Sequence, residues 1–315
     1  MIVARSLKEI RKDSNSEVTV GTFDGMHAGH QAIMKELTTR ADARGGRSVV
    51  ITFEPHPRKV VRPEQPFKPL STLEERLEIM SGLRVDAVLV LEFTYDFSRQ
   101  SSREFYGRYL IEGIGVREVI VGYDHMFGRD REAGMDELRR LGEEFGFGTH
   151  IVEPVRIDGE IVSSSRIREM IARGDVERAE KLLTRHFALE GTVVRGEGRG
   201  ADIGFPTANI KPDWDERLLP ANGVYFVTVD IIGGQQYFGM LNIGVRPTFE
   251  ATLNRTIEVH LFDLHDDLYG KRLRVQFLKR LRAEKKFATA EDLVRQLTVD
   301  RDECTKYIAA VQPSS

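Results

Sequence analysis

Cysteine and long apolar runs are scarce in this sequence. Its 315 residues contain one cysteine, Cys304, so no disulfide can form within the chain and a reducing compartment is expected. No apolar run reaches the roughly 18 residues that a membrane-spanning helix needs. The opening residues become polar after three apolar positions, which predicts no signal peptide. These absences predict a cytoplasmic protein with no membrane partner.

An excess of charge is also lacking. The 46 Lys and Arg residues and 49 Asp and Glu residues leave a net charge of -3, so no overall basic field points to a nucleic-acid partner. Charged residues make up 30% of the chain and hydrophobic residues 41%, which is typical of globular domains. The length favours two domains over one.

Two common nucleotide-binding motifs do not match. The chain has no GxxxxGKS or GxxxxGKT phosphate loop, and the glycine-rich run at 195–210 is spaced G-x-G-x-G, unlike the dinucleotide fingerprint G-x-G-x-x-G. A glycine-rich loop followed by Pro-Thr-x-Asn still suggests a site for phosphate and a cation.

The first half of the chain alternates apolar strand patterns with amphipathic helix patterns. This alternation predicts a mostly parallel, Rossmann-like sheet with helices on both faces, an α/β domain whose ligands bind at the carboxyl ends of the strands. The predicted strands are 18–23, 48–53, 87–91, 118–121 and 150–152, and the predicted helices are 29–44, 71–80, 102–111 and 134–145.

The second half is rich in short strands. After two further helices at 165–172 and 176–183, glycine and proline separate short β-rich segments, which predicts an antiparallel barrel or sandwich with a C-terminal helix at 289–310. We place the boundary near 183–187, giving domains 1–184 and 185–315. The predicted strands are 187–194, 224–232, 237–242, 257–262 and 273–281.

The stretch VGTFDGMHAGH at 20–30 carries the first candidate site. His27 and His30 follow a buried strand at a predicted helix N-terminus, where anions are favoured, and Gly25 and Gly29 keep the backbone open. Two imidazoles there would stabilise charge that develops on a phosphorus under attack. The pair could instead be half of a metal site or simple surface residues, although no matching cysteine or carboxylate–histidine cluster favours zinc.

A second polar group, VSSSRIR at 162–168, opens a later helix. Hydroxyls such as those of Ser164 and Ser165, together with the Arg168 guanidinium, are suited to hold phosphate. The alternative is an ordinary serine N-cap with exposed arginines. Combined with the two histidines, the phosphate clamp is the better interpretation.

The second candidate site lies in the glycine-rich run and the GFPTAN stretch that ends it. Thr207 and Asn209 are two residues apart, so on a strand they face the same side, and their oxygens are hard ligands suited to Mg²⁺. The alternative is a Gly-Pro surface turn with ordinary polar residues. The glycines predicted to lie near phosphate are Gly198, Gly200 and Gly204.

The stretch IEVHLFD at 257–263 alternates in polarity. Glu258 and His260 share one face of the predicted strand, and the apolar residues between them share the other. An acid on the polar face of a barrel strand can act as a general base, although such an acid is more often simply solvated.

The first-half motifs resemble the HxGH nucleotidyltransferase superfamily, with GTFDGMHAGH followed by the SSSRIR form of its SSTxIR motif. TFEPHP at 52–57 and GYDHMFG at 122–128 resemble its flavin-specific branch, which implies that Asp124 helps to bind flavin or nucleotide. Ser165 replaces the usual threonine and keeps the hydroxyl. The run RDREAGMDEL carries an extra residue before Gly134.

The second-half motifs resemble riboflavin kinase. The resemblance rests on GFPTAN, NIGVRPTF at 242–249 and EVHLFD, and it implies a small antiparallel barrel with a C-terminal helix. It implies that Thr207 and Asn209 hold Mg-nucleotide and that Glu258 deprotonates the 5′-hydroxyl of the ribityl chain. LRAEKKF at 281–287 is similar to the family's flavin region, which implies flavin contacts for Arg282 and Phe287.

Together the motifs resemble the prokaryotic bifunctional riboflavin kinase/FAD synthetases. That resemblance implies two ATP- and Mg²⁺-dependent steps, from riboflavin to FMN and from FMN to FAD, with ADP and pyrophosphate as co-products. Two alternatives are a nucleotidyltransferase for another phosphate-bearing acceptor, with a β-domain that only binds, and a flavin-binding regulator without catalysis. Intact PTAN and EVH motifs argue against the first alternative, and intact His27, His30 and Glu258 argue against the second.

Overall fold

The structure is a computed structural model that describes residues 1–125, 134–196, 199–214, 216–247, 253–264 and 266–311. Its contacts divide the chain into two compact units, Met1–Ser164 and Ser165–Ser315. Each unit contains one sheet that organises its fold, and each is described by itself.

The first unit is built on a parallel sheet that has six strands among the described residues, in the order β1-β4-β3-β2-β5-β6. A 3-10 turn, Leu7–Glu9, follows the first strand, a π-helical segment, Tyr106–Ile114, continues helix α5, and a small hairpin pairs β7 with β8. The strands are β1 Ile2–Ala4, β2 Ser16–Val20, β3 Arg47–Glu54, β4 Ala87–Glu92, β5 Val116–Gly122, β6 Gly148–Val152, β7 Arg156–Ile157 and β8 Glu160–Ile161; the helices are α1 Ala28–Ala43, α2 Pro57–Val61, α3 Leu73–Gly82, α4 Tyr95–Ser98, α5 Ser102–Phe105 and α6 Met135–Phe145.

Both faces of this sheet are covered, as the continuous apolar strands predict. In β3, Val49 and Ile51 pack into one hydrophobic cluster, and Val50 between them packs into another. All three side chains are fully buried. Such strands read as unbroken apolar runs because neither face meets water. The prediction of a parallel α/β domain is confirmed.

The second unit contains a closed antiparallel barrel, in the order β10-β13-β12-β11-β14-β9. The closure decides between the two predicted architectures, barrel and sandwich. The C-terminal helix predicted at 289–310 is present as α10. The strands are β9 Phe187–Val194, β10 Ala208–Pro212, β11 Gly223–Ile231, β12 Gln236–Pro247, β13 Leu253–Leu261 and β14 Arg272–Arg282; the helices are α7 Ser164–Arg173, α8 Val176–Leu183, α9 Arg199–Asp202 and α10 Ala290–Val311.

Helices α7 and α8 belong to the barrel unit by their contacts. Arg280 donates a hydrogen bond to the carbonyl of Arg173 (3.0 Å), and the Ala221 amide donates to the carbonyl of Ile171 (3.3 Å). The contact division therefore falls at Ser164, earlier in the chain than the boundary expected near 183–187. The domain boundary at residue 184 stays a prediction.

The spacing of Ser71 and Glu74 predicts a capping box with Ser71 as the N-cap of α3, and the observed N-cap lies one residue later. Thr72, not Ser71, is its N-cap: the Thr72 hydroxyl accepts from the Glu75 amide, and the Glu75 carboxylate accepts from the Thr72 amide. The sequence fits a capping box in either register, because Ser71 precedes Glu74 by three residues just as Thr72 precedes Glu75. Ser71 is thereby left for another role.

A partly buried ion cluster joins the C-terminal end of helix α1 to strands β2 and β5. The Arg44 guanidinium bonds the carboxylate of Glu17 (2.7 Å), which is fully buried, and the carboxylate of Glu118 (2.7 Å). Burial raises the pKa of Glu118, but the hydrogen bonds and positive charges of Arg44 and Arg40 outweigh burial and hold that pKa below its ordinary value.

We expect Arg44→Ala to lower the free energy of unfolding of the first unit by about 3 kcal/mol, because the Glu17 carboxylate would stay buried without its cation. Urea denaturation of the full chain measures the change. The folded-state pKa of Glu118 is depressed. Its contribution to the free energy of unfolding is therefore present above its unfolded-state pKa and is lost as the pH falls through the folded-state pKa. The difference between wild type and variant should therefore shrink in acid. Arg11→Ala, which removes an exposed ion pair with Asp13, should cost less than about 1 kcal/mol.

Candidate active sites

The turn between β2 and α1 has an unusual backbone. Three of its residues have left-handed φ values: Phe23 at 49°, Gly25 at 83° and Met26 at 39°. Gly25 tolerates this conformation because it has no Cβ, and a Cβ there would also lie 2.8 Å from the Leu70 side chain. The turn lies at the carboxyl end of a central strand, which is the expected place for a ligand in a parallel sheet.

The two histidines of this turn stack on each other. Their ring centroids are 3.7 Å apart with an interplanar angle of 19°. His27 is the N-cap of α1, and its Nδ1 accepts a hydrogen bond from the His30 amide (3.4 Å). In a neutral His27 ring the proton is therefore on Nε2, which can donate. A Cβ on Gly29 would lie 3.2 Å from the His27 ring, so glycine here makes room for that imidazole.

A cavity of about 280 Å³ opens at the carboxyl ends of the strands. His30 lines it, whereas His27 is almost fully buried beside it. Asp124, which follows β5, is exposed and also lines the cavity. Five phenylalanines contribute to the wall, which suits it to a flat ring: Phe23, Phe53, Phe93, Phe97 and Phe105.

His125 is a cavity residue that sequence reasoning did not single out. A hydrogen bond of 3.1 Å joins its Nε2 to the hydroxyl of the buried Tyr106, at the start of the π-helical segment. Burial lowers the pKa of His125 to about 4, so this imidazole is neutral at physiological pH. Phe93, Phe97 and Phe105 were missed as well, because they come from separate short elements and form no motif.

The SSSRIR residues divide between the two contact units. The Ser164 hydroxyl donates to the carbonyl of Asp24 (2.9 Å) and so contacts the histidine turn directly. Ser165 is exposed and Arg168 is half-buried on α7. That Ser165 and Arg168 contact phosphate remains a prediction. The extra residue before Gly134 falls in 126–133, outside the described residues.

In the barrel, the register brings three polar residues side by side. Asn209 of β10 lies directly opposite Glu258 of β13, and Glu258 lies directly opposite Asn242 of β12. Opposed residues in an antiparallel pair point to the same face. The neighbours Ile257 and Val259 are buried, whereas Glu258 is half-buried, as the alternation predicts.

Glu258 and Asn242 of this row line a cavity of about 460 Å³, whereas Asn209 is not among its lining residues. Five of the residues singled out from the sequence line it: Gly200, Thr207, Glu258, Arg282 and Phe287. Arg282 is held by the nearly buried Asp300 of α10, with Nε 2.9 Å and Nη2 2.8 Å from Oδ2. Asp300 was not anticipated, because it lies 18 residues further along the chain and only the docking of α10 brings it to Arg282.

Glycines shape the entrance to this site. Gly200 lines the cavity, and a Cβ there would collide with the carbonyl of Phe205. A Cβ on Gly196 would collide with the Asn209 side chain. Gly204 has a left-handed φ of 80° with open space around it. Gly198 lies outside the described residues.

A third cavity, of about 170 Å³, is lined by Pro206, Thr207 and Ala208 of the PTAN segment. Thr207 lines both barrel cavities. Residues of the β13–β14 connection contribute to the smaller cavity, including Asp266, Asp267 and Tyr269.

Among the described residues, no group of three or more His, Cys, Asp and Glu side chains could hold a metal ion. In the same part of the chain, no helix combines the length and the apolar character needed to cross a bilayer.

Comparison with known proteins identifies the two halves. A family model described as FAD synthetase matches residues 9–166, and one described as riboflavin kinase matches residues 183–308. A bifunctional riboflavin kinase/FMN adenylyltransferase of Pseudomonas fluorescens is 40% identical over 301 residues, 95% of this chain and 96% of that protein. The chain belongs to the bifunctional riboflavin kinase/FMN adenylyltransferase family.

Other relatives agree in length and order. The Listeria monocytogenes protein of the same description is 35% identical over 95% of each chain. A solved structure described as a macrolide-efflux protein from Streptococcus pneumoniae is 33% identical, with a TM-score of 0.87 over 96% of this chain and 97% of that one. The predicted family, and the order of its transferase and kinase parts, are confirmed.

Proposed function

We propose that the barrel unit transfers the γ-phosphoryl group of ATP to riboflavin, and that the first unit transfers an adenylyl group from a second ATP to the FMN produced. The observation that carries the proposal is the cavity at each predicted site. Glu258 and Thr207 border the barrel cavity, and His30 and Asp124 border the aromatic cavity at the strand ends.

In the kinase step, Glu258 is the general base. It accepts the proton of the ribityl 5′-hydroxyl while that oxygen attacks the γ-phosphorus and ADP leaves. Glu258 stands in a row with Asn209 and Asn242, whose side chains can fix the position of the ribityl chain or the phosphate. Positioning of this kind supplies much of the catalysis in phosphoryl transfer.

Thr207, together with Asn209 of this row, suits Mg²⁺ bound as part of Mg-ATP. Thr207 offers a hydroxyl and Asn209 an amide oxygen, which are hard ligands, and the absence of an all-protein metal cluster from the described residues suits an ion that keeps waters and phosphate oxygens. When bound, Mg²⁺ neutralises charge that develops on the transferred phosphoryl group.

The two substrates of the kinase step bind in different cavities of the barrel. Riboflavin occupies the 460 Å³ cavity, where Arg282 and Phe287 contact its ring system. The nucleotide extends from the 170 Å³ cavity. Since Thr207 lines both, the γ-phosphate meets the 5′-hydroxyl at the PTAN segment.

In the transferase step, the phosphate of FMN attacks the α-phosphorus of ATP and pyrophosphate leaves. His30 and His27 donate hydrogen bonds to the triphosphate, and the N-terminus of α1 adds a favourable field. Ser164, which belongs to the same unit, adds a hydroxyl beside the histidine turn. The aromatic wall holds the flavin ring, which favours FMN over a non-aromatic acceptor.

A single buried cysteine suits the cytoplasm, which we propose as the location.

One incubation tests the proposal. Purified protein with riboflavin, ATP and Mg²⁺ should form FMN and then FAD, resolved by chromatography. A fragment of residues 165–315, which keeps α7 and α8 on the barrel, should form FMN and no FAD, and a fragment starting near 184 should do the same if the predicted boundary is right. No flavin conversion at all, or adenylylation of another phosphate-bearing acceptor but not of FMN, would contradict the assignment.

A further inference from the structure

Ser71 and Asp24 form a buried cluster that the reaction scheme above leaves unused. The Asp24 carboxylate is 2% exposed and accepts hydrogen bonds from the amides of Leu70 (3.0 Å) and Ser71 (3.1 Å) and from the Ser71 hydroxyl (3.2 Å). Ser71 directly precedes the N-cap of α3. The cluster therefore ties the entry of α3 to the turn that carries the histidines.

The Ser71 hydroxyl has a second partner. It accepts a hydrogen bond from the Gly25 amide at 2.7 Å, and Ser71 is only 3% exposed. One buried oxygen thus bridges the carboxylate of Asp24 and the main chain of the next residue.

The turn needs such an anchor. A non-glycine residue in the left-handed region is strained because its Cβ crowds the backbone, and both Phe23 and Met26 adopt that conformation. His27 directly follows Met26, so any relaxation of the turn would move the imidazole that caps α1. The ring of His30, which stacks on that imidazole, would move with it.

We propose that Ser71 is a positioning residue for adenylyl transfer, acting with Asp24 as a clamp that holds the strained turn and so aligns His27 and His30. The inference rests on the proposed function, because that function places His27 and His30 at the triphosphate of ATP. Ser71 itself does not contact the substrate.

The chain contains a matched control. Ser48, at the start of β3, is fully buried; its hydroxyl donates to the Asp86 carboxylate (2.7 Å) and accepts from the Asp86 amide (2.9 Å). This pair has the same hydroxyl–carboxylate and amide–hydroxyl hydrogen bonds as the clamp and lies in the same unit, although Asp86 is exposed and Asp24 is buried. It is at the amino ends of the strands, opposite the cavity, so its loss costs stability without moving the histidine turn.

We expect Ser71→Ala to lower kcat/KM for FAD formation from FMN by about 10- to 100-fold, the scale of a misplaced catalytic group. Ser48→Ala should stay within about threefold of wild type, and FMN formation by the barrel should be normal in both. Equal losses of FAD formation in the two variants would show that Ser71 contributes only to the stability of the unit, and would overturn the proposal. If Ser71→Ala does not fold, Ser71→Cys, which keeps the size but hydrogen-bonds weakly, replaces it.

A double variant tests whether Ser71 acts through His30. If it does, Ser71→Ala combined with His30→Ala should be within about threefold of His30→Ala alone, because groups that act as a unit are not additive. If His30→Ala is impaired and the double variant shows the product of the two single losses, Ser71 does not act through His30. That result would contradict the clamp and leave the proposed function standing. A normal FAD rate for His30→Ala would instead contradict the proposed function.

Discussion

Glu258→Gln should lower the kcat of riboflavin phosphorylation by about 10²–10⁴-fold. The glutamine keeps the size of the side chain and its place opposite Asn209 and Asn242, but it cannot take the ribityl proton. Binding of riboflavin and Mg-ADP should change little, because the proton is transferred only in the transition state. Steady-state kinetics of FMN formation give kcat and KM separately.

The same chain supplies two controls for this variant. FAD formation from added FMN should continue at the wild-type rate, because it takes place in the other unit. Glu190→Gln, which removes a carboxylate of β9 paired with Arg272 outside the cavity, should leave FMN formation unchanged. A near-normal kcat for Glu258→Gln would refute the base assignment. A raised KM for nucleotide with normal kcat would make Glu258 a metal or ribose ligand.

His30→Ala should lower the rate of FAD formation from FMN by about 10²–10³-fold and leave FMN formation from riboflavin intact. His30 is the histidine that lines the aromatic cavity, so its loss removes the donor that we propose contacts the triphosphate. The measurement is the initial rate of pyrophosphate release with saturating FMN and ATP.

His150→Ala is the matched control for that variant. His150 is an imidazole of the same unit, bonded to Arg40 (2.8 Å) outside the cavity, so its removal should leave FAD formation near the wild-type rate. Equal loss of both activities in His30→Ala, with the fold retained, would mean that the histidine pair does not belong to a separate transferase site.

Local signals were enough for much of the fold. Strands such as β3 and β4 were predicted because buried parallel strands are continuous apolar runs, and helix α8 was predicted with its observed bounds because its apolar residues recur at helical spacing. The N-terminus of α3 was misplaced because two overlapping patterns fit the same cap. Strand β1 was missed because three residues carry too little pattern, and only pairing with β4 defines it.

The sequence by itself determined the chemical groups of the two sites and the strand-to-helix turn on which His27 and His30 lie, because these depend on residue types a few positions apart. Only the tertiary structure decided which groups meet. Asn209, Asn242 and Glu258 form one row because the barrel closes in one register, and Asp300 reaches Arg282 because α10 packs across it. Ser71 anchors Gly25 from 46 residues away because α3 enters beside the histidine turn. Such contacts depend on how distant elements pack, and no local pattern encodes them.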